Sequence, residues 1–237
     1  MKKLVSLSLA AALGVLTLAL SPSPSPSPSP SPNPMDDLVF EGARVVDGTG
    51  APWFVADVSV RGGKIAAVGK LDKRPAKRRV DARGLVVAPG FIDLLGQSEY
   101  NVLVDRRAAS KVTQGITTEV TGEGVSIAPL NQALIDGDRD TYQKYGVWPD
   151  WRTLDGYFRT LEKRGTAINV ATFIGSGGLR SYVVGNENRP ATAQELNAMK
   201  ALLEQGMREG ALGISSSLQY IPNIYSSTEE LIALAKV

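Results

Sequence analysis

The sequence has 237 residues, 43% apolar and 21% charged, and it contains no histidine and no cysteine. Its length and apolar content allow one sizeable packed domain. The missing residue types exclude a Ser-His-Asp triad, a cysteine nucleophile and thiolate metal ligands. Lys2 and Lys3 account for the net charge of +2, because 24 basic residues balance 24 acidic ones in the rest of the chain. This balance gives no reason to expect nucleic acid as a partner.

The first 34 residues predict a secretory signal followed by a linker. Lys2 and Lys3 precede the apolar run Leu4–Leu20, which is the pattern of a signal peptide over 1–20. The run is also about long enough to span a bilayer, so an uncleaved membrane tether is the alternative. Residues 21–34 alternate Ser and Pro, which favours an extended polyproline II linker. We therefore expect an exported protein, periplasmic or extracellular, that is either released or membrane-anchored.

Residues 35–88 predict a small β-sandwich-like subdomain made of short strands. Val55–Val60 alternates apolar and polar side chains, and Arg61–Lys64 carries a Gly-Gly turn. Ile65–Val68 is then expected to pair back as a hairpin. The turn Asp47–Gly50 separates this hairpin from an earlier strand.

Residues 89–237 alternate strand-like and helix-like segments, which predicts parallel βα units in an α/β fold. The predicted strands are Phe91–Leu95, Thr117–Gly122, Ala167–Ile174 and Ala211–Ser216. The predicted helices cover about 101–114, 153–164 and 192–209, and a last one begins near Ser227. Capping boxes at Thr192 with Glu195 and at Ser227 with Glu230 support the last two helices.

Four βα units amount to a partial TIM-type barrel, because a closed barrel needs eight units and about 250 residues. Three arrangements are compatible with this count: a fragment of a longer barrel, two half-barrels that associate, or an open α/β sheet. The sequence ends inside the helical pattern Leu231–Val237 without a C-cap signal. This favours the fragment.

Candidate site residues follow the predicted strands, where chemistry collects in a parallel β/α fold. Glu123 lies between Gly122 and Gly124 after the second strand, and such glycines allow close backbone approach to a ligand. Its carboxylate is a candidate ligand for a metal or a substrate, or it is a turn glutamate that faces solvent. Glu99, after the first strand, is either a second candidate or simply the start of a loop.

Three further side chains follow the same reasoning. The run Gly175–Gly178 predicts a loop that holds an anion on backbone N–H groups, and its Ser176 either hydrogen-bonds a ligand or is a small loop residue. Tyr220, after the fourth strand, either offers its hydroxyl to a substrate or packs as an aromatic. Asp93 lies inside the first strand, and we expect it to anchor the junction of the subdomains through hydrogen bonds.

Residues 38–93 resemble the entry segment of the amidohydrolase superfamily. The matching phrases are Gly42–Gly50, Ala56–Val60, Gly63–Gly69 and Val80–Asp93. Later phrases resemble the N-acyl-D-amino-acid deacylase (D-aminoacylase) group in particular. They are Gly115–Thr118, Ser126–Pro129, Asn169–Ala171, Gly210–Ile214 and Tyr225–Leu231. Together these phrases cover essentially all of 38–237.

The resemblance implies a divalent metal, with zinc expected, in a β/α barrel that hydrolyses a small-molecule N-acyl amino acid or related amide. In the family the first strand ends in His-x-His, both ligands, where this sequence has Leu95 and Gln97. The resemblance makes Gln97 a weak oxygen ligand and Glu123 a carboxylate ligand in place of the family's cysteine. It places Tyr220 near the substrate and puts Ser176 where the family commonly has a histidine in a Gly-His-Gly phrase. We expect Ser176 and Glu99 to bind the substrate together with Tyr220.

We therefore expect a hydrolase of carbon–nitrogen bonds other than peptide bonds, acting as an N-acyl-D-amino-acid deacylase through metal-activated water in the complete protein. We also expect that this chain alone does not hydrolyse such substrates, because four strands without histidine cannot assemble the whole site. The alternative is a non-catalytic or truncated homologue that binds a ligand or has no independent function.

Overall fold

A computed structural model describes residues 34–237. The predicted signal at 1–20 and all but the last residue of the predicted linker at 21–34 lie outside the described residues. The chain divides into two compact units, one that ends at Val87 and one that covers Ala88–Val237. None of the helices in the described part is both long enough and apolar enough to cross a membrane.

The first unit contains one five-stranded mixed sheet. Its strands are β1 Leu38–Val45, β2 Phe54–Arg61, β3 Lys64–Gly69, β4 Arg79–Asp81 and β5 Val86–Val87. The order is β3-β2-β1-β4, with β5 also paired to β1. β2 pairs antiparallel with both β1 and β3, whereas β4 and β5 run parallel to β1. The predicted hairpin is confirmed, because β2 and β3 pair through the turn at Gly62 and Gly63.

Small side chains form the core of this unit, which lets the short strands pack closely. The core residues are Ala43, Val45, Ala56, Val58 and Ala82. The described residues of this unit form a single sheet. The second layer of the predicted sandwich-like arrangement is not among them.

The second unit is built on parallel strands. They are β6 Phe91–Asp93, β7 Ile116–Thr121, β8 Asn169–Thr172, β9 Ile174–Gly175 and β10 Ile214–Ser215. β6, β7 and β8 form one parallel sheet, and β9 and β10 form a parallel pair. The Leu212 N–H donates to the Thr172 carbonyl oxygen, and the Ile174 N–H donates to the Gly213 carbonyl oxygen, each at 2.9 Å. These two hydrogen bonds join the two sheets. The four predicted strands are present and the α/β class is confirmed, with the third strand divided at Phe173.

Eight α-helices lie between or after these strands in the described part of the chain. They are α1 Asn101–Val104, α2 Ala109–Val112, α3 Gln132–Gly137, α4 Arg139–Tyr145, α5 Leu154–Arg164, α6 Ser176–Val183, α7 Ala193–Arg208 and α8 Thr228–Ala235. Thr192 and Glu195 form the predicted capping box of α7. The Ser227 side chain accepts the Glu230 N–H at the start of α8.

Two details of the predicted organisation are wrong, and the two helices α3 and α4 lie where none was predicted. The helix predicted over 101–114 is interrupted between α1 and α2, because the Asp105 side chain accepts the Arg107 N–H and turns the chain. The insertion after the second strand carries α3 and α4. The run Gly175–Gly178 is not a loop, since α6 begins at Ser176. Glycines there serve close packing, because a Cβ at Gly175 would lie 2.3 Å from the Gly124 carbonyl oxygen.

Candidate active site

The ends of β6 and β7 bring the two predicted metal ligands together. Gln97 follows β6 and Glu123 follows β7, and both side chains are exposed. The Gln97 side-chain amide donates a hydrogen bond to Glu123 Oε2 at 3.1 Å. The structure therefore brings this pair together, whereas a role for the pair in metal binding stays a prediction.

A cavity of about 310 Å³ opens at these strand ends, and we refer to it as the strand-end cavity. It is lined by Gln97, Glu123, Gly124, Val125, Gly177, Ser217, Tyr220, Ile221 and Asn223. Tyr220 is 61% exposed, so its hydroxyl is accessible to a ligand. Three of the five predicted site residues thus meet in one cavity.

The turn that carries Glu123 is fixed on both sides. Gly122 and Gly124 have φ values of 89° and 66°, which favour glycine. A Cβ at Gly122 would lie 2.4 Å from the Phe173 carbonyl oxygen. The Ser215 hydroxyl donates to the Gly122 carbonyl and accepts the Gly124 N–H at 3.2 Å. The backbone is therefore held from both flanks while the Glu123 carboxylate stays free to meet a ligand.

Glu99 faces a different cavity. Its Oε1 accepts the Gly122 N–H at 3.2 Å, and its backbone oxygen accepts the Tyr157 hydroxyl at 3.0 Å. Burial raises the pKa of the Glu99 carboxyl above its usual range. Glu99 is absent from the lining of the strand-end cavity and lines a larger neighbouring one.

Ser176 lies beneath the strand-end cavity rather than on its surface. It is 1% exposed, and its hydroxyl donates to Asn223 Oδ1 at 2.9 Å. Asn223 itself lines the cavity, and its buried Nδ2 has no hydrogen-bond partner among the described residues. The structure therefore links Ser176 to the cavity through Asn223, which the sequence did not single out, and direct substrate binding by Ser176 stays a prediction.

A buried charge cluster below Gln97 was also missed. Glu119 is fully buried, and its Oε1 accepts the Ser98 N–H at 3.1 Å. Lys111 Nζ lies 3.6 Å from the same oxygen and 2.6 Å from Asp93 Oδ2. The hydrogen bond from Lys111 lowers the pKa of the Asp93 carboxyl. A glutamate in the middle of the predicted strand β7 was the signal that sequence reasoning left unused.

This cluster, Asp93, Lys111 and Glu119, positions the backbone that carries Gln97. The Gly96 N–H donates to the Val120 carbonyl oxygen at 2.9 Å. A Cβ at Gly96 would lie 1.9 Å from Glu119 Oε1, so the glycine lets the chain pass directly over the carboxylate. We conclude that the cluster fixes the start of the loop 96–99.

The described residues do not form a metal centre by themselves. Residues 34–237 contain no group of three or more His, Cys, Asp or Glu side chains that could hold a metal ion. Glu123 and Gln97 offer a carboxylate oxygen and an amide oxygen, and Leu95 is an exposed apolar side chain without a donor atom. Two oxygens fall short of the four ligands that zinc takes.

No family model matches this sequence. D-aminoacylase from Alcaligenes xylosoxydans xylosoxydans is 39% identical over 201 residues, which cover 84% of this chain and 41% of that enzyme. The crystal structure of a D-aminoacylase described as defining a novel subset of amidohydrolases matches with 40% identity and a TM-score of 0.78. It covers 85% of this chain and 42% of that one.

A third match is N-acyl-D-glutamate deacylase from Bordetella bronchiseptica, solved with zinc and a phosphonate inhibitor that mimics the tetrahedral intermediate. It is 36% identical with a TM-score of 0.78 and covers 86% of this chain and 43% of that one. The chain thus spans about two fifths of the length of the relatives it matches. The resemblance to D-aminoacylases is confirmed at the level of sequence and fold.

Proposed function

Because this chain is a homologue of the N-acyl-D-amino-acid deacylases among the amidohydrolases, we propose that the protein hydrolyses the amide bond of small N-acyl-D-amino acids. The observation that carries the proposal is the strand-end cavity, where Glu123, Gln97 and Tyr220 meet. This is the end of a parallel β/α fold at which enzymes place their chemistry. The substrate class follows the enzymes that the chain resembles.

The finer fold that we propose is part of a β/α barrel over 89–237, preceded by a β subdomain over 35–88 that would become sandwich-like with a second layer from other parts of the complete protein. Its support is the series of parallel strands in sequential order with intervening helices. Strand β6 leaves Phe91 and Ile92 about 60% exposed. A closed barrel in the complete protein would cover such an edge strand.

A divalent metal, with zinc as in the Bordetella relative, completes the proposal. Glu123 would contribute one carboxylate ligand and Gln97 one amide oxygen, and further ligands would come from other parts of the complete protein. When bound, such a metal polarises an amide carbonyl and activates a water molecule. In the described chain, the glycines and Ser215 hold Glu123 in place, and Tyr220 presents its hydroxyl to the substrate.

The proposal is tested with the protein encoded by the complete reading frame. We expect it to release free amino acid from N-acetyl-D-leucine and not from the L-enantiomer. Glu123→Ala should lower the rate by at least about 100-fold, the scale of a lost electrostatic group in an active site. Glu204→Ala, a solvent-exposed change on α7, is the matched control and should leave the rate intact.

The 237-residue chain alone should show no turnover with added zinc. Turnover by this chain that is lost in Glu123→Ala would refute that expectation. If the complete protein binds N-acetyl-D-leucine equally well with and without chelator and releases no amino acid, a binding protein without catalysis replaces the proposal.

We also propose that the protein is exported. Lys2, Lys3 and the apolar run Leu4–Leu20 support this. The expected result is a mature N-terminus after Ala19 in the periplasm or medium, read by mass spectrometry. An intact Met1 in the membrane fraction would show a tethered protein, and an intact Met1 in the cytosol would refute export.

A further inference from the structure

A second cavity of about 650 Å³ adjoins the strand-end cavity within the Ala88–Val237 unit. Val125 and Ile221 line both cavities, so the two meet at these side chains. The volume falls in the range of about 300–1,000 Å³ that is typical of small-molecule sites. A ligand whose reacting bond lies near Glu123 can therefore extend past Val125 into the second cavity.

One wall of the second cavity, along the insertion that follows β7, is mainly apolar, whereas Ser126, Ser181 and Asn186 add polar groups elsewhere in the lining. This wall is formed by Val125, Ile127, Pro129, Leu130, Ala133 and Leu134. Two aromatic rings, Tyr100 and Tyr142, also line the cavity, with ring centroids 5.8 Å apart. Such a lining stabilises an apolar chain by removing it from water.

The charges around the second cavity are all negative. Glu99 and Asp138 are its ionisable acidic lining residues, and the described residues that line it include no lysine or arginine. The Glu99 carboxylate is already engaged by the Gly122 N–H at 3.2 Å. A ligand group with a negative charge would meet repulsion and no cation in this cavity.

We infer that the second cavity holds the acyl chain of the substrate, and that it selects uncharged, apolar acyl groups. The inference rests on the proposed deacylase function. An N-acyl amino acid has a carboxylate beside its side chain and no charge along a simple acyl chain. The acyl end therefore fits a cavity with only negative charges, whereas the amino-acid end carries its carboxylate away from Glu99 and Asp138.

The test uses N-acetyl-, N-butyryl- and N-hexanoyl-D-leucine with the complete protein. Each methylene that enters the cavity should raise kcat/KM by about fourfold, from about 0.8 kcal/mol per buried CH₂. N-succinyl-D-leucine, in which a carboxylate replaces the terminal methyl of the butyryl group, should be a poorer substrate than N-butyryl-D-leucine. Equal rates across the acyl series would overturn the inference.

Ala133→Phe on α3 should flatten the series, because the ring occupies the cavity from an exposed backbone position. Gln132→Phe is the matched control, because Gln132 is the neighbour of Ala133 in α3 and does not line the cavity. This variant should keep the steep series. If Ala133→Phe fails to fold, Ser181→Met fills the same cavity from α6. A steep series in a folded Ala133→Phe or Ser181→Met protein would overturn the inference.

Calorimetry separates this inference from the proposed function. Chain-length-dependent binding without turnover would refute the deacylase activity and support the apolar cavity. Turnover without chain-length dependence would support the activity and refute the cavity's role. The same measurement compares N-acetyl-D-lysine with N-acetyl-D-norleucine. If the lysine compound binds more tightly and Ala133→Phe abolishes this gain, the cavity holds a basic side chain of the substrate and the acyl assignment is overturned.

Discussion

Charged and polar side chains serve opposite purposes on the two sides of the loop 96–99. On the inner side, Glu119 is fully buried and contacts Ser98 and Lys111. On the outer side, Gln97 and Glu123 are exposed and share one hydrogen bond at 3.1 Å. The buried groups are committed to holding the backbone, whereas the exposed pair remains available to a ligand. Stability and function should therefore respond separately to substitutions on the two sides.

The largest expected effect comes from Glu119→Ala. The change would remove the carboxylate beside Lys111 and leave the Ser98 N–H without its acceptor. We expect this to lower the free energy of unfolding by about 3 kcal/mol. Urea denaturation of the purified protein measures this loss. Glu123→Ala is the matched control on the outer side and should change stability by less than about 0.5 kcal/mol. Equal losses in the two variants would contradict the comparison.

Gly96→Ala tests the same contact from the backbone side. The added Cβ would lie 1.9 Å from Glu119 Oε1, and overpacking of this kind costs about 1–3 kcal/mol. Gly137→Ala in α3 is the control, because nothing lies within 4 Å of its Cβ, and the change should be neutral or stabilising. Thermal unfolding of both variants measures the difference in stability. A Gly96→Ala protein as stable as the control would show that the Glu119 carboxylate does not lie against Gly96.

The outer side of the loop could largely be predicted from the sequence. Gln97 and Glu123 follow successive parallel strands, and the ends of such strands meet at one edge of the sheet. The capping box of Thr192 and Glu195 was equally predictable, because both partners lie within one turn of chain. Patterns that depend on neighbours in sequence, or on strand order, were thus accessible.

The inner side could not be predicted in the same way, because its contacts join residues far apart in the chain. Glu119 and Lys111 look like ordinary polar residues until the fold pairs them and places Glu119 against Gly96. Ser176 was assigned to a loop because a glycine run predicts one locally. In the structure the run begins α6 and packs against the Gly124 carbonyl, with the Gly178 N–H 3.2 Å from that oxygen.

Acid titration offers a smaller test of the buried cluster. The hydrogen bond from Lys111 lowers the pKa of Asp93 below its ordinary value of 3.8. A carboxyl with a lowered pKa in the folded state stabilises the protein above pH 3.8, and the stabilisation is lost as the pH falls through the folded-state value. Asp93→Asn should therefore flatten the decline of the urea midpoint below about pH 4.

The control for this titration is Asp140→Asn, an exposed change on α4, measured over the same pH range. Its midpoint should decline with acid as steeply as that of the unmodified protein. If Asp93→Asn and Asp140→Asn give the same curve, the bond between Lys111 and Asp93 does not contribute to acid stability.

Gln97→Ala should produce the smallest change in stability, because it removes one exposed hydrogen bond to Glu123. The free energy of unfolding should shift by less than about 0.5 kcal/mol. Activity of the complete protein should nevertheless fall about tenfold, because Gln97 orients the Glu123 carboxylate. A tenfold loss corresponds to about 1.4 kcal/mol in free energy.

Gln114→Ala is the matched control for Gln97→Ala. Its side-chain amide donates to the Ser110 carbonyl oxygen on α2, and Gln114 does not line the strand-end cavity. It should change neither stability nor activity appreciably. A Gln97→Ala protein that unfolds as readily as Glu119→Ala would show that the outer side of the loop also holds the fold. An unchanged rate in Gln97→Ala would show that Glu123 needs no partner there, because Gly122, Gly124 and Ser215 already fix its backbone.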